Sequence, residues 1–158
     1  MNDGTATVRD CVAVLEGVYP PSWAASWDAV GLVVGNPDAP VESVLFAVDP
    51  TSEVAAEAAR SASLLITHHP LFLRGVHGVA ETSPGGRVVA TLVRAGVALF
   101  TAHTNADVAA PGVSDALAAA FGLRDVRPLE PLHAAEAWAA AEAGAAGAAA
   151  DGGDPGPA

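Results

Sequence analysis

Lysine is absent from the 158-residue sequence, and seven arginines face 18 aspartates and glutamates, which gives a formal net charge of -11 at pH 7. Nucleic-acid binding draws its affinity from lysine and arginine side chains that neutralise phosphates. A surface of the opposite sign therefore argues against a nucleic-acid partner. The same acidic surface favours the approach of cations.

Cysteine, aromatic residues and long apolar runs are also scarce. The single cysteine, Cys11, excludes an intramolecular disulfide, and only eight residues are aromatic, so the core must be built mainly from small side chains. No uninterrupted apolar run reaches the length of about 18 residues that a membrane span requires. The N-terminus also lacks a basic segment followed by an apolar one. We therefore expect a cytoplasmic protein without a membrane partner.

The spacing of apolar residues predicts an α/β fold with a mixed, largely parallel sheet flanked by helices. We assign residues 1–131 to one metal-binding domain and residues 132–158, rich in alanine, glycine and proline, to a disordered tail or the start of a linker. The predicted helices cover residues 7–18, 51–60, 85–95 and 113–121, and the predicted strands cover residues 43–49, 64–67 and 97–101. The continuous apolar run at 43–49 predicts a strand covered on both faces.

Two adjacent histidines, His68 and His69, directly follow the predicted strand 64–67. Ligands collect beyond the carboxyl ends of parallel strands, so these imidazoles are candidate metal ligands. Successive side chains of an extended strand point to opposite faces. We therefore expect each histidine to bind a different ion of a dinuclear cluster.

A second strand end repeats this chemistry, because His103 and Asp107 follow the predicted strand 97–101. Imidazole and carboxylate together suit borderline divalent metals. We predict that His68, His69, His103 and Asp107 form one metal site, although Asn105 and Asp107 could also be turn residues before the next helix.

Two further residues have alternative interpretations. Asp28 is either a hydrogen-bond partner of a metal-bound histidine or a cap or turn residue. His77, in a Gly-Val-His-Gly context, is interpreted as an exposed loop histidine and not as a functional residue.

Three segments together resemble the signature motifs of the NGG-one-interacting-factor-three-like proteins, often labelled GTP cyclohydrolase I type 2 homologues. They are Ser26-Trp27-Asp28-Ala29-Val30-Gly31-Leu32, His68-His69-Pro70-Leu71 and His103-Thr104-Asn105-Ala106-Asp107. The resemblance covers roughly residues 7–131. It implies an α/β fold, a ring-shaped homohexamer and a centre of two divalent metal ions, with zinc, iron, manganese and nickel as candidates. His68, His69 and Asp107 correspond to ligands, and His103 lies at a motif position close to the metals.

The resemblance also implies ligands that this sequence lacks. Members of that family carry a further histidine and a glutamate, four residues apart, in their C-terminal half. His133 and Glu136 are three apart and are not equated with that pair. We therefore expect the sequence to be a truncated form, equivalent to an N-terminal half.

Three functions remain open at this point. The first is a metal-dependent hydrolase acting on a small molecule, a nucleotide or another phosphate ester. The second is a non-catalytic metal-binding or assembly protein with a closed ligand set. The third is an incomplete fragment whose site is non-functional.

Overall fold

The computed structural model describes residues 4–128, and the chain divides after Ala106 into two compact units. The first unit contains four strands: β1 (Gly31–Val34), β2 (Val44–Ala47), β3 (Leu64–Thr67) and β4 (Ala98–Thr101). The helices, in chain order, are α1 (Val8–Val18), α2 (Ser52–Ser61), α3 (Pro84–Ala95), a short α4 (Thr104–Asp107) and α5 (Val113–Ala120). Helix α5 belongs to the second unit.

The four strands form one sheet in the order β1-β4-β3-β2. Strands β2, β3 and β4 are parallel, and β1 is antiparallel to β4. The predicted α/β fold with a mixed, largely parallel sheet is therefore confirmed. The register pairs Thr67 with Thr101, so the two central strands end side by side.

Two apolar clusters cover the two faces of the sheet, because successive side chains of a strand alternate between faces. Leu64 and Ile66 of β3 pack with Val8 of α1 in one cluster. Leu65, between them in sequence, packs in the other cluster with residues of α2 and α3. Strands β3 and β4 are buried along their whole length. This central pair is the rigid base from which the histidines project.

Strand β2 differs from its prediction. Its run of apolar residues indicated burial on both faces, but Phe46 is 71% exposed and Val44 is 42% exposed. The reason is that only one face of this edge strand is covered: Leu45 and Ala47 pack in one apolar cluster, whereas Val44 and Phe46 belong to neither. The four-residue burial pattern alternates accordingly.

Helix ends follow the local sequence closely. Thr7 and Thr51 cap α1 and α2 through their side chains, which is a common role of threonine before a helix. Gly96 ends α3 in the left-handed conformation, with φ of 70°. The apolar spacing in these helices also predicts that Ala59 on α2 and Val93 on α3 face the core, but both are exposed, Val93 by 59%.

The longest helix in residues 4–128 has 12 residues, and none there is long and apolar enough to cross a membrane. The disorder predicted for residues 132–158 concerns a segment outside the described residues.

Candidate metal centre

The candidate site begins where β3 and β4 end. Strand β3 stops at Thr67, whose hydroxyl donates a hydrogen bond to the carbonyl of His69 at 3.0 Å. That bond closes a turn over His68 and His69, so the two residues lie beyond the regular strand. The backbone N–H of Ala102 donates to the carbonyl of Thr67 at 3.0 Å, which fixes the end of β4, just before His103, beside this turn.

Three imidazole rings meet at this edge of the sheet. The ring centroids of His68 and His69 are 5.1 Å apart, and that of His103 is 5.0 Å from His68 and 5.6 Å from His69. One possible ligand atom from each histidine lies within 4.8 Å of the other two. The expectation that His68 and His69 point to opposite faces is therefore wrong, because the regular strand has ended before them.

Each of the three rings has its Nδ1 atom engaged by an oxygen. His68 Nδ1 lies 3.0 Å from the carbonyl oxygen of Ala102, His69 Nδ1 lies 2.7 Å from Asp49 Oδ1, and His103 Nδ1 lies 2.9 Å from Asp28 Oδ1. Carbonyl and carboxylate oxygens only accept hydrogen bonds, so Nδ1 must carry the hydrogen in each neutral ring. The lone pair of each neutral ring is then on Nε2, the nitrogen that a metal would bind.

Asp28 is the most enclosed carboxylate at this site, with a fully buried side chain. Its oxygens accept hydrogen bonds from the backbone N–H groups of Ala29, at 2.7 Å, and Thr104, at 3.1 Å, and from the hydroxyl of Thr104. Burial alone would raise the pKa of Asp28, but the hydrogen bonds from Thr104 and His103 outweigh it and lower that pKa to about 2. The structure bears out both interpretations, because Asp28 is hydrogen-bonded to His103 and also accepts from the N–H of Thr104, the first residue of α4.

The donor set fits a borderline divalent metal such as zinc, nickel or iron, since imidazole suits all of these. With Zn–N bonds of about 2.1 Å, two nitrogens of a tetrahedral site are about 3.4 Å apart. One possible ligand atom of each histidine lies within 4.8 Å of the other two, so these atoms would need to approach one another by at most about 1.4 Å around an ion. The side chain of His69 is 47% exposed and that of His103 only 16%, so fewer protein atoms surround the ring of His69.

The remaining candidates have different positions. Asp107 ends α4 and begins the second compact unit, so its role as a ligand stays a prediction. His77 is exposed in the loop between β3 and α3, as the sequence indicated.

Two supporting residues were missed by sequence reasoning. Asp49 is the last residue of the predicted strand 43–49, and the sequence gives no sign that its carboxylate is hydrogen-bonded to His69. Asn105 was considered a turn residue, but it is 1% exposed. Its side chain accepts from the N–H of His103 at 2.9 Å and donates to the carbonyl of Tyr19 at 2.8 Å. The available signal was the polar Thr-Asn pair immediately after His103.

Comparison with known proteins gives one family. The model of the Duf34/NIF3 (NGG1p interacting factor 3) family matches residues 6–151. A Streptomyces coelicolor protein named GTP cyclohydrolase 1 type 2 homolog is 55% identical over 123 residues, which cover 77% of this chain and 43% of that protein. The Mycobacterium tuberculosis protein of the same name is 56% identical over 116 residues, or 73% of this chain and 30% of that protein. The chain thus spans less than half the length of these relatives.

The solved structures agree with this result. The crystal structure of a Bacillus cereus protein related to NIF3 superposes with a TM-score of 0.77 at 34% identity, covering 82% of this chain and 36% of that one. The family model and the structural match therefore agree. The chain belongs to the Duf34/NIF3 (NGG1p interacting factor 3) family.

Proposed function

We propose that His68, His69 and His103 bind a divalent transition metal at the carboxyl ends of β3 and β4. The observation that carries this proposal is the set of three Nδ1 hydrogen bonds, which leaves Nε2 as the metal-binding nitrogen of each neutral ring. Histidines with a purely structural role would not be expected to share one tautomer with their ring centroids all within 5.6 Å of one another.

We further propose that Asp107 is the fourth ligand and that the centre is dinuclear. Three neutral imidazoles contribute no negative charge, whereas two divalent ions need carboxylates to offset their charge. Asp107 lies four residues after His103 and is the carboxylate that the sequence motif assigns to this role.

The activity we propose is metal-dependent hydrolysis of a nucleotide or another phosphate ester. Bound divalent ions would lower the pKa of a coordinated water and stabilise charge on a reacting oxygen. The support for this substrate class is the name of the relatives, GTP cyclohydrolase 1 type 2 homolog. The role of the protein's own residues is to hold the ions, through His68, His69, His103 and Asp107.

A non-catalytic metal-binding or assembly protein is the second candidate, and one observation favours it. The two carboxylates next to the histidines, Asp28 and Asp49, are each hydrogen-bonded to an imidazole. Asp28 in addition accepts hydrogen bonds at both oxygens and has a fully buried side chain, so it is not placed to take a proton from a water or a substrate. The self-association proposed from the family resemblance, a homohexamer, fits either candidate and is measured by light scattering.

Hydrolysis assays separate the two candidates. The metal-loaded protein is assayed with GTP and with bis(p-nitrophenyl) phosphate, alongside His68→Ala and His77→Ala. His77→Ala is the matched control, since it removes an exposed histidine outside the cluster. If the protein is a hydrolase, we expect steady turnover that is abolished in His68→Ala and unchanged in His77→Ala. Metal binding without turnover in the wild type would favour the non-catalytic protein.

A further inference from the structure

We propose that Asp28 is a positioning residue that fixes the tautomer and the orientation of His103 for metal binding. The proposal rests on the proposed metal centre and concerns how this chain prepares one of its ligands. Asp28 lies 75 residues before His103 in sequence, in the segment between the short helical turn Pro21–Trp23 and β1.

The carboxylate is held in place from two directions. Oδ1 accepts from the N–H of Ala29 at 2.7 Å and faces Nδ1 of His103 at 2.9 Å. Oδ2 accepts from the N–H of Thr104 at 3.1 Å and from its hydroxyl. With every hydrogen-bonding direction used and the side chain fully buried, the carboxylate has no alternative conformation at low cost. The His103 ring, which this carboxylate faces, is therefore held in one orientation.

The negative charge matters as well as the position. A carboxylate presents two acceptor oxygens, and Asp28 faces a donor with each. An asparagine of the same shape has one acceptor and one donor, so it would place its NH₂ group against either His103 Nδ1–H or Thr104 N–H. Only the carboxylate satisfies both. Such outer partners of metal-bound histidines orient the ring and raise its basicity as a ligand.

The other histidine–carboxylate pair at the site shows the contrast. His69 and Asp49 are 47% and 59% exposed, whereas His103 and Asp28 are 16% and 0% exposed. Water competes for the hydrogen bonds of the exposed pair. We infer that His103 is the preset ligand of the cluster and that His69 adjusts when a metal enters.

The variant Thr104→Val distinguishes a positioning role of Asp28 from a general structural role. The hydroxyl of Thr104 accepts from the N–H of Ala25 at 2.9 Å and donates to Asp28, so it ties the same segment to the site without contacting His103. Valine removes both bonds and keeps the carboxylate and the backbone N–H. A purely structural role for Asp28 predicts similar effects from Thr104→Val and Asp28→Asn.

The experiment combines two measurements on the full chain. The ¹⁵N shifts of the His103 ring in metal-free protein report its tautomer, and Zn²⁺ titration by calorimetry reports affinity. We expect a single Nδ1–H tautomer in the wild type and Thr104→Val, and a mixture in Asp28→Asn. We also expect Asp28→Asn to lower Zn²⁺ affinity by about 10- to 100-fold. Thr104→Val should lower it clearly less, because Asp28 keeps both acceptor oxygens and three of its four hydrogen bonds.

Several results would overturn the proposal. Equal losses in Thr104→Val and Asp28→Asn would make Asp28 a structural anchor only. Unchanged tautomer and affinity in Asp28→Asn would reject its positioning role and leave the metal centre standing. If the wild type binds no Zn²⁺, the proposed function fails. The tautomer of the metal-free protein then decides separately whether Asp28 sets the ring, and an Nε2–H form in the wild type would refute that.

Discussion

At the scale of single residues, the three histidines share one hydrogen-bonding pattern supplied by three different groups. A main-chain carbonyl serves His68, an exposed carboxylate serves His69, and a buried carboxylate serves His103. The energetic consequences differ because water competes for the exposed pair and is excluded from the buried one. The pattern is common to all three, but its contribution to stability is not.

This difference predicts unequal effects of two alanine substitutions on the metal-free protein. His103→Ala removes a partner of a buried charge and should lower the free energy of unfolding by about 1–3 kcal/mol. His69→Ala breaks a pair that is 47% and 59% exposed, so its effect should stay within about 0.5 kcal/mol. Urea denaturation of the two variants tests this. Equal destabilisation would show that the two pairs do not differ as their burial indicates.

The residues of the site were only partly predictable from sequence. His68, His69 and His103 were identified because imidazoles directly follow buried runs, which is a local signal. Their partners are not local, since 20 residues separate His69 from Asp49 and 75 separate His103 from Asp28. A single sequence carries no signal for such pairings, except where a family motif includes the residue, as it does for Asp28.

At the scale of elements, the strand ends were the most informative feature. The buried runs at β3 and β4 predicted both strands because a short apolar stretch flanked by turn residues has few other low-energy solutions. The prediction that both faces of β2 are covered was wrong because local sequence specifies neither strand order nor which face of an edge strand other elements cover. The exposure of Phe46 follows from that order.

Helix α1 begins with a reciprocal cap whose strength depends on pH. The hydroxyl and the N–H of Thr7 donate to the Asp10 carboxylate at 2.7 and 2.8 Å and hold the pKa of Asp10 below its usual 3.8. The unfolded chain therefore protonates first. The stabilisation is fully present above that usual pKa and declines as pH falls through the lowered one.

Two substitutions test this cap. Thr7→Ala should lower the free energy of unfolding at pH 7 by about 1 kcal/mol. The stability difference between the wild type and Asp10→Asn should be constant from pH 7 to about pH 5 and shrink on further acidification. Urea unfolding across this range measures both. A difference that grows as pH falls would contradict the assigned direction of the pKa shift.

The end of β1 requires glycine at position 35. Gly35 has φ of +113°, and a Cβ there would lie 2.6 Å from the Cβ and 2.7 Å from the Cα of Ala98. Gly35→Ala should therefore destabilise the protein by about 3 kcal/mol, through backbone strain and overlap with β4.

Gly17→Ala is the control for this substitution. Gly17 lies in α1, and a Cβ there meets no atom within 4 Å. Alanine at this position should stabilise the helix by about 0.5 kcal/mol. Thermal unfolding of both variants gives opposite signs if the account is right, and a neutral Gly35→Ala would show that β1 and β4 are less closely packed than described.

At the scale of the whole molecule, the acidic net charge and the histidine cluster both support the proposed metal binding. A net charge of -11 attracts cations, and the sheet brings three imidazoles together at one edge. The α/β fold and the family were predictable because the motifs fall at strand ends in the expected order. The division of the chain after Ala106 was not predicted, since apolar spacing reports elements and not the contacts between them.

The central claim is that the three histidines bind metal, and elemental analysis tests it most directly. Metal content per chain is measured on untagged wild-type protein and on the combined variant His68→Ala, His69→Ala, His103→Ala, purified in the same way. We predict at least one transition-metal ion per wild-type chain, two if the centre is dinuclear, and almost none in the variant. Equal metal content in both proteins, or no metal in the wild type after incubation with Zn²⁺, would contradict the account.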